Sequence, residues 1–491
     1  MMGARIAFPE FSIQPAPVFR PVLGTRARPW AASLVLLAAD VLAIFLARAA
    51  AVVLWNWFRP AVGLANFLGF WESLALFGAT YAALGLYTIG AFGAVEELRR
   101  TVAGTTFVCL VLTASLFFLQ HTGAYSRGLL ILSGFFTAAA VPLLRALARC
   151  LFAGRSWWGV PVVVLGAGAG AEALIVRLRR HPEMGLRPVA CLDNHENMRG
   201  ECAGVPIAGP LSMAHSLARA LRVHHALVAM PEVAREDLLW MLDDWGAAFR
   251  HVILIPDLFG IASLWVSARD LGGILGLELR QNLLVRWNRW TKRALDIAGA
   301  LVVGACALPV MAAAALWIKL TSRGSLIYRQ EREGEGGRIL SMPKLRTMHM
   351  DAEALLMRVL SSSPQIRDEW AHRFKLKKDP RILPGVGAFL RRSSLDELPQ
   401  LWSVLKGDMS LVGPRPFPRY HLDGFGPRFR ALRNRVKPGL TGLWQVSDRA
   451  DGDLEVQEAL DTYYIRNWSL WLDLYILART VRAVLFPRGA Y

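Results

Sequence analysis

Residues 294–318 read ALDIAGALVVGACALPVMAAAALWI. The run is long enough to cross a bilayer, which needs about 20 apolar residues, yet Pro309 sits inside it. Basic residues flank both ends: Arg286, Arg289, Lys292 and Arg293 before it, Lys319 and Arg323 after it. How this run is read decides where the rest of the chain lies. A straight span carries Lys319 and everything after it to the opposite face. A proline inside a helix removes a hydrogen bond and clashes with the preceding turn. A helix that enters, bends near Leu308-Pro309 and returns keeps both basic flanks on one face, in accord with the bias of Lys and Arg toward the cytoplasm. The expectation is a re-entrant membrane helix near 294–318, with a fifth span as the alternative.

Upstream, four apolar runs near 30–54, 66–88, 101–119 and 128–151 predict an N-terminal transmembrane bundle of four helices within 30–154. Residues 1–29 are Pro-rich and contain Arg5, Arg20, Arg26 and Arg28, which reads as a basic cytoplasmic arm. Arg145, Arg149 and Arg155 cluster at the last exit, so the N-terminus and all that follows residue 155 are expected in the cytoplasm. Asp40 and Arg48 interrupt the first run. Each costs roughly 2.5–3.5 kcal/mol at mid-bilayer on insertion scales, so they are expected to face the bundle interior or the interface; a substrate path is the alternative. No short apolar core with a small-residue cleavage site opens the chain, so a removable signal peptide is not expected.

Val160–Leu165 is a β-rich apolar run followed by Gly166-Ala167-Gly168, a helical stretch, and a second apolar run ending at Asp193. That is the order of a dinucleotide-binding βαβ unit, with glycines for the tight turn and an acid after the second strand. Further strands near Ala226–Ala229 and His251–Ile255 extend it. Residues 155–285 therefore read as a Rossmann-like domain. No acid–base set for hydride transfer stands nearby, which favours a regulatory or structural role over NAD chemistry. The five cysteines form no CxxC and no disulfide framework, and read as packing residues in a reducing compartment.

The remaining segment, 286–491, holds the stretch SLDELPQLWSVLKGDMSLVGPRP, Ser394–Pro416. Asp396 and Glu397 stand side by side in a cationic region: from Ala371 to Arg449 there are sixteen Lys or Arg and six Asp or Glu. Nearby positive charge favours ionised carboxylates, and carboxylates among guanidiniums suit phosphate chemistry. A capping box, Ser394 with Glu397 three residues on, accounts for the same acids without any chemistry. Gly407 is expected to end the helix.

Other motifs favour the chemical reading. Lys344-Leu345-Arg346-Thr347-Met348 lies upstream, Arg391-Arg392-Ser393 leads into the pair, and Gly413-Pro414-Arg415-Pro416 and Lys437-Pro438-Gly439-Leu440-Thr441-Gly442 follow. In that order they resemble the bacterial sugar transferase family, the polyprenyl-phosphate hexose-1-phosphate transferases of the monotopic phosphoglycosyl transferase superfamily. The likeness covers roughly 286–491, and the upstream regions match the family's large form. Two positions depart from it: Pro343 and Leu345 replace the usual aromatics around KxRTM, and Asp448 replaces a glycine.

The resemblance implies an α/β membrane protein with a four-helix transmembrane bundle, a Rossmann-like α/β domain and a C-terminal α/β catalytic domain with a re-entrant helix. It implies hexose-1-phosphate transfer, galactose or glucose, from a UDP-hexose to undecaprenyl phosphate, releasing UMP, as the first membrane step of exopolysaccharide, capsule or O-antigen synthesis. Asp396 is then the nucleophile and Glu397 its partner. Arg391, Arg415, Lys344 and Arg346 bind phosphate, and Mg2+ is the expected cofactor, with Asp396 and Glu397 as its candidate ligands. The net charge of +18 with 54% hydrophobic residues points to a membrane surface. No zinc-finger or comparable module suggests nucleic acid. Aromatic residues beside arginines in Leu454–Phe486 suit a helix at the lipid interface. The bundle offers a platform for a homodimer. The competing classes are a nucleotide-sensing membrane regulator and a scaffold of polysaccharide export.

Overall fold

The computed structural model describes residues 27–58, 72–90, 93–118, 127–194, 200–230, 248–255, 266–270, 275–279, 286–362, 367, 379–422, 424–447 and 454–485. Most of the basic arm and Asp448 lie outside these residues. The chain forms two compact units that divide after Asp257.

The first unit begins with helices α1 (Pro29–Phe58), α2 (Glu72–Ala83), α3 (Ala94–Phe118) and α4 (Arg127–Phe152). α1 and α4 are long and apolar enough to cross a membrane. The expected second and third spans differ from this. Residues 66–71 of the second lie outside the described residues, α2 holds 12 of those that follow, and α3 starts at Ala94, taking Glu96 and Glu97 into its first turn. Acids there complement the helix dipole, which explains why the helix starts earlier than the apolar run.

Asp40 faces the bundle interior, as expected for a charge lipid cannot solvate. Its two carboxylate oxygens accept from Arg145 Nε and Nη2 of α4, both at 2.7 Å. Tyr87 donates to the same carboxylate at 2.9 Å. Arg145 also donates to Glu97 at 2.9 Å, and Arg48 donates to Ser73. The packing of α1 on α4 is thus specified by a bidentate charge pair as well as by apolar contact.

A six-stranded sheet follows, in the order β3-β4-β2-β1-β5-β6. Its strands are β1 (Val160–Leu165), β2 (Leu186–Leu192), β3 (Glu201–Cys202), β4 (Val205–Gly209), β5 (His225–Val228) and β6 (His251–Leu254). All neighbours are parallel except β3 and β4. Helices α5 (Ala169–Arg180) and α6 (Ala214–Leu221) accompany it. Val163 and Leu165 pack into one core with Leu217, while Val162 and Val164 pack into another with Ile175. Burial on both faces is why the strands read as continuous apolar runs.

Gly166 takes φ +105°, and a Cβ there would lie 2.8 Å from the Ala229 carbonyl. The tight turn needs glycine at that position. Asp193, in the place of a ribose-binding acid, instead accepts from the turn's Ala167 N–H at 2.7 Å.

The second unit opens with a hairpin of β7 (Val266–Asp270) and β8 (Leu275–Leu279), then α7, Arg286–Thr321. The expected bend lies near Leu308-Pro309. α7 is one helix of 36 residues with Pro309 inside it. A proline costs a helix one hydrogen bond and can bend it without ending it. The antiparallel pair β9 (Ile327–Glu333) and β10 (Ile339–Leu345) follows, then α8 (Ala352–Ser362) and α9 (Val386–Arg392).

Leu395–Gln400 is a 3-10 turn that runs into α10 (Leu401–Lys406). Next come β11 (Ser410–Val412), α11 (Arg419–Leu422), α12 (Pro427–Arg433) and β12 (Gly439–Thr441), with β12 parallel to β11. Two helices close the unit, α13 (Leu454–Asn467) and α14 (Leu470–Leu485). The single terminal helix expected over this region is therefore split. Ser469 Oγ accepts from Leu472 N at 3.0 Å, as an N-cap side chain does.

Candidate active site

Asp396 and Glu397 lie in the first turn of the Leu395–Gln400 3-10 segment. Pro399 explains the tighter winding, because an α-helical turn would bring its ring against the carbonyl four residues back. Ser394 precedes the segment in left-handed backbone, φ 56° and ψ 17°, and its side chain makes no capping bond. The capping box is thus not formed. A residue with a Cβ pays roughly 1–2 kcal/mol for that conformation, and such outliers cluster where function dictates geometry. At the far end, α10 stops at Gly407 with φ 95°. The guanidinium of Arg293 on α7 closes the helix end by donating to the carbonyls of Val404 at 2.6 Å and Leu405 at 2.7 Å.

Glu397 is the hub. Its Oε1 accepts from Lys344 Nζ of β10 at 2.7 Å and from Arg415 Nη2 at 2.9 Å. Burial alone would raise the Glu397 carboxyl, but the Arg415 and Lys344 charges outweigh it and hold it down at about 2. Asp396 is the opposite case. It is buried, and burial followed by the Glu397 charge pushes its carboxyl up to about 6 against the pull of Lys344, Arg391 and Arg415. Two adjacent acids are thereby separated: one permanently charged and cation-bound, the other poised near neutrality.

The other expected site residues divide. Lys344 and Arg415 meet at Glu397. Arg391 is exposed at the end of α9, close enough for its charge to act on Asp396. Arg346 points elsewhere: it is buried and donates to the carbonyls of Arg323 at 2.8 Å and Ser322 at 3.0 Å, closing the end of α7.

The glycines of the Lys437–Gly442 motif bring backbones together. A Cβ on Gly439 would lie 2.0 Å from Gly413 N, and one on Gly442 would lie 2.5 Å from Gly413 O. Gly413 N donates to Thr441 O, and Gly439 N to Pro414 O, each at 2.9 Å. That contact seats the Pro-flanked Arg415.

Sequence reading did not find the buried charges behind this loop. Asp296 accepts from Ser410 Oγ at 2.9 Å and Leu411 N at 3.0 Å. Lys292 pairs with Asp473 at 2.7 Å, and Arg433 with Asp461 at 2.9 Å. The partners come from separate helices, so no local spacing announces them. What the assembled group offers is a carboxylate able to attack, a second carboxylate fixed by two cations, and a further exposed cation for an anionic substrate.

A family profile described as bacterial sugar transferase matches residues 287–487, and one described as CoA-binding domain matches residues 82–256. The undecaprenyl-phosphate galactose phosphotransferase of Salmonella typhimurium is 34% identical over 373 residues, 75% of this chain and 77% of its own. The UDP-galactose-lipid carrier transferase of Erwinia amylovora is 33% identical over 405 residues, 81% and 82% of the two chains. The UDP-glucose:undecaprenyl-phosphate glucose-1-phosphate transferase of Escherichia coli is 32% identical over 337 residues, 67% and 68%. The motifs quoted from the sequence and their convergence on Glu397 agree with these likenesses, and the chain belongs to the bacterial sugar transferase family.

Proposed function

We propose that this protein transfers hexose-1-phosphate from UDP-galactose or UDP-glucose to undecaprenyl phosphate, releasing UMP. The observation that carries the reading is the split pair, Asp396 poised near neutrality beside a Glu397 held charged by Lys344 and Arg415. The activities printed in the names of the relatives support it.

In this mechanism an Asp396 oxygen attacks the sugar-side phosphorus. The bond from that phosphorus to the bridging oxygen breaks, and UMP leaves with the electron pair. A lipid phosphate oxygen then attacks the same phosphorus, and the Asp396 carboxylate is restored. Dividing one displacement into two is what a covalent carboxylate provides. Arg415 and Lys344 hold Glu397 and present charge to the diphosphate, and Arg391 adds a third cation. Arg346 acts at a distance, fixing the end of α7.

Mg2+ takes hard oxygen ligands, commonly one or two carboxylates with phosphate and water completing the shell. Asp396 and Glu397 fit that donor set and would hold the ion. When bound, it would neutralise charge on the diphosphate oxygens.

The first test is a release assay with Mg2+, undecaprenyl phosphate and a panel of UDP-hexoses, quantifying UMP and UDP separately. UMP that depends on the lipid and on one sugar is expected. UDP in its place would overturn the reading. Attack requires an ionised Asp396, so kcat/KM is expected to be flat above pH 6 and to fall about tenfold per pH unit well below it. A profile flat down to pH 4.5 would show that the Asp396 carboxyl is not raised in the working enzyme.

The re-entrant course of α7 belongs to the same reading. At 36 residues α7 is about 54 Å long, against a hydrocarbon core of about 30 Å. Its beginning is tied to β11 by Asp296, and Ile318 near its end packs with Leu345 and Leu390 of the same unit, while Leu301, Val302 and Leu308 between them are exposed. Both ends then lie on the cytoplasmic face, where the catalytic and Rossmann-like domains also sit. A cysteine placed at exposed Ser325 is expected to react with an impermeant maleimide only in inside-out vesicles. Labelling of intact spheroplasts would establish a span.

A further inference from the structure

Arg415 reaches Glu397 with its side chain, but its main chain is held from behind. Arg433, the last residue of α12, is buried and donates through Nη2 to the Arg415 carbonyl. Its Nη1 donates to Asp461 of α13 at 2.9 Å. The guanidinium lies over the Phe417 ring at 4.7 Å and the Phe429 ring at 5.7 Å. Every face of this group is therefore occupied by protein, and its orientation is fixed by an anion, a carbonyl and two rings. Pro414 and Pro416 restrict the backbone on either side of Arg415. Between them the Arg415 carbonyl is bound by Arg433.

The geometry points to Arg433 and Asp461 as positioning residues that aim Arg415 at Glu397 and the substrate diphosphate without touching either. This rests on the reading of Arg415 as a diphosphate ligand. Neither residue lies in the Ser394–Pro416 stretch, and they come from two different helices. A lysine at 433 keeps the charge but cannot bond Asp461 and the carbonyl through a planar fork. Burial pushes the Asp461 carboxyl up to about 7 while the Arg433 charge opposes it. Asp461→Asn keeps an acceptor for the fork, and so is the milder change.

The test is a double-mutant cycle on full-length, detergent-purified protein: wild type, R433K, R415K and R415K/R433K. Each is read as Kd for the UDP-hexose by calorimetry and as kcat and KM for UMP release. A misplacement of about 1 Å at a positioned group costs up to about 100-fold. R433K is accordingly expected to lose about 10-fold or more in kcat/KM, and R415K more. Once Arg415 has been changed, adding R433K is expected to cost less than about 2-fold, because residues acting through one group are non-additive.

Losses that multiply, in activity and in Kd, would overturn the proposal and leave Arg433 as an ordinary core residue. So would a fall in melting temperature with unchanged kinetics. Should R433K fail to fold, the same cycle is run with Asp461→Asn, with the same criterion of non-additivity. Wild-type protein that binds UDP-hexose but releases no UMP defeats the proposed reaction, and the cycle is still read in Kd. Wild-type protein that does not bind it defeats both.

Discussion

Asp396→Asn is expected to release no UMP above background and, at neutral pH, to melt at a higher temperature than the wild type. The two outcomes share one cause. Burial and the adjacent Glu397 push the Asp396 carboxyl from 3.8 up to about 6. A carboxyl whose folded pKa lies above its unfolded value binds its proton more tightly in the native state. Below about pH 4 it is protonated in both states and carries no penalty. As pH rises from 4 to 6 the unfolded chain releases the proton and the folded chain resists. Above 6 the full penalty is present: the shift of about two pKa units corresponds to roughly 3 kcal/mol as an upper value. Asparagine removes that buried charge, so its advantage is expected above pH 6, to shrink between 6 and 4, and to vanish below. Melting curves of both proteins across this range check the sign. Activity is lost because an amide cannot form the acyl phosphate. Mass spectrometry of wild type quenched with UDP-hexose is expected to find hexose phosphate on the peptide carrying Asp396. Trapping a ternary complex alone would move Asp396 to a metal-holding or base role.

The sequence showed the site's chemistry more plainly than its support. Asp396, Glu397, Lys344 and Arg415 are legible because each sits in an ordered motif, and the left-handed Gly407 closes the helix where expected. The Rossmann-like sheet was legible through alternation of glycine turns and apolar strands, and its strands fall where those runs lie. Arg346 follows directly on β10, and spacing alone does not say which way its side chain turns there. Alternation along a strand would put Arg346 on the face of Lys344, but the strand ends at Leu345, and Arg346 donates to the end of α7 while Lys344 reaches Glu397. Pro309 lies inside the continuous helix α7, since a proline can bend a helix without ending it. Arg433, Asp461, Lys292 and Asp473 were missed because a buried ion pair between distant helices has no local sequence signature.

Asp473→Leu is expected to be among the most destabilising single changes in the second unit. Asp473 is fully buried and accepts from Lys292 Nζ at 2.7 Å, Tyr464 OH at 2.8 Å and Trp468 Nε1 at 3.0 Å. Lys292 also donates to the Val412 carbonyl at 3.0 Å, and the Tyr464 hydroxyl lies 2.9 Å from that oxygen, so one carboxylate organises α7, α13, α14 and β11 together. Removing it leaves a buried ammonium and an indole N–H without their acceptor. Breaking a buried pair from one side costs about 3–5 kcal/mol, whereas replacing both partners with apolar groups of similar volume is often close to neutral. The double variant K292M/D473L is therefore expected to melt above D473L alone. Additive losses would mean that the destabilisation comes from packing volume and not from an unpaired charge. Turnover separates the pair's second role. Val412 stands three residues before Arg415, and the Lys292 bond to its carbonyl is lost in the double variant. Stability regained in the double variant is thus expected to return without full activity, because the first turns of the membrane helix no longer hold the strand that carries Arg415 to Glu397.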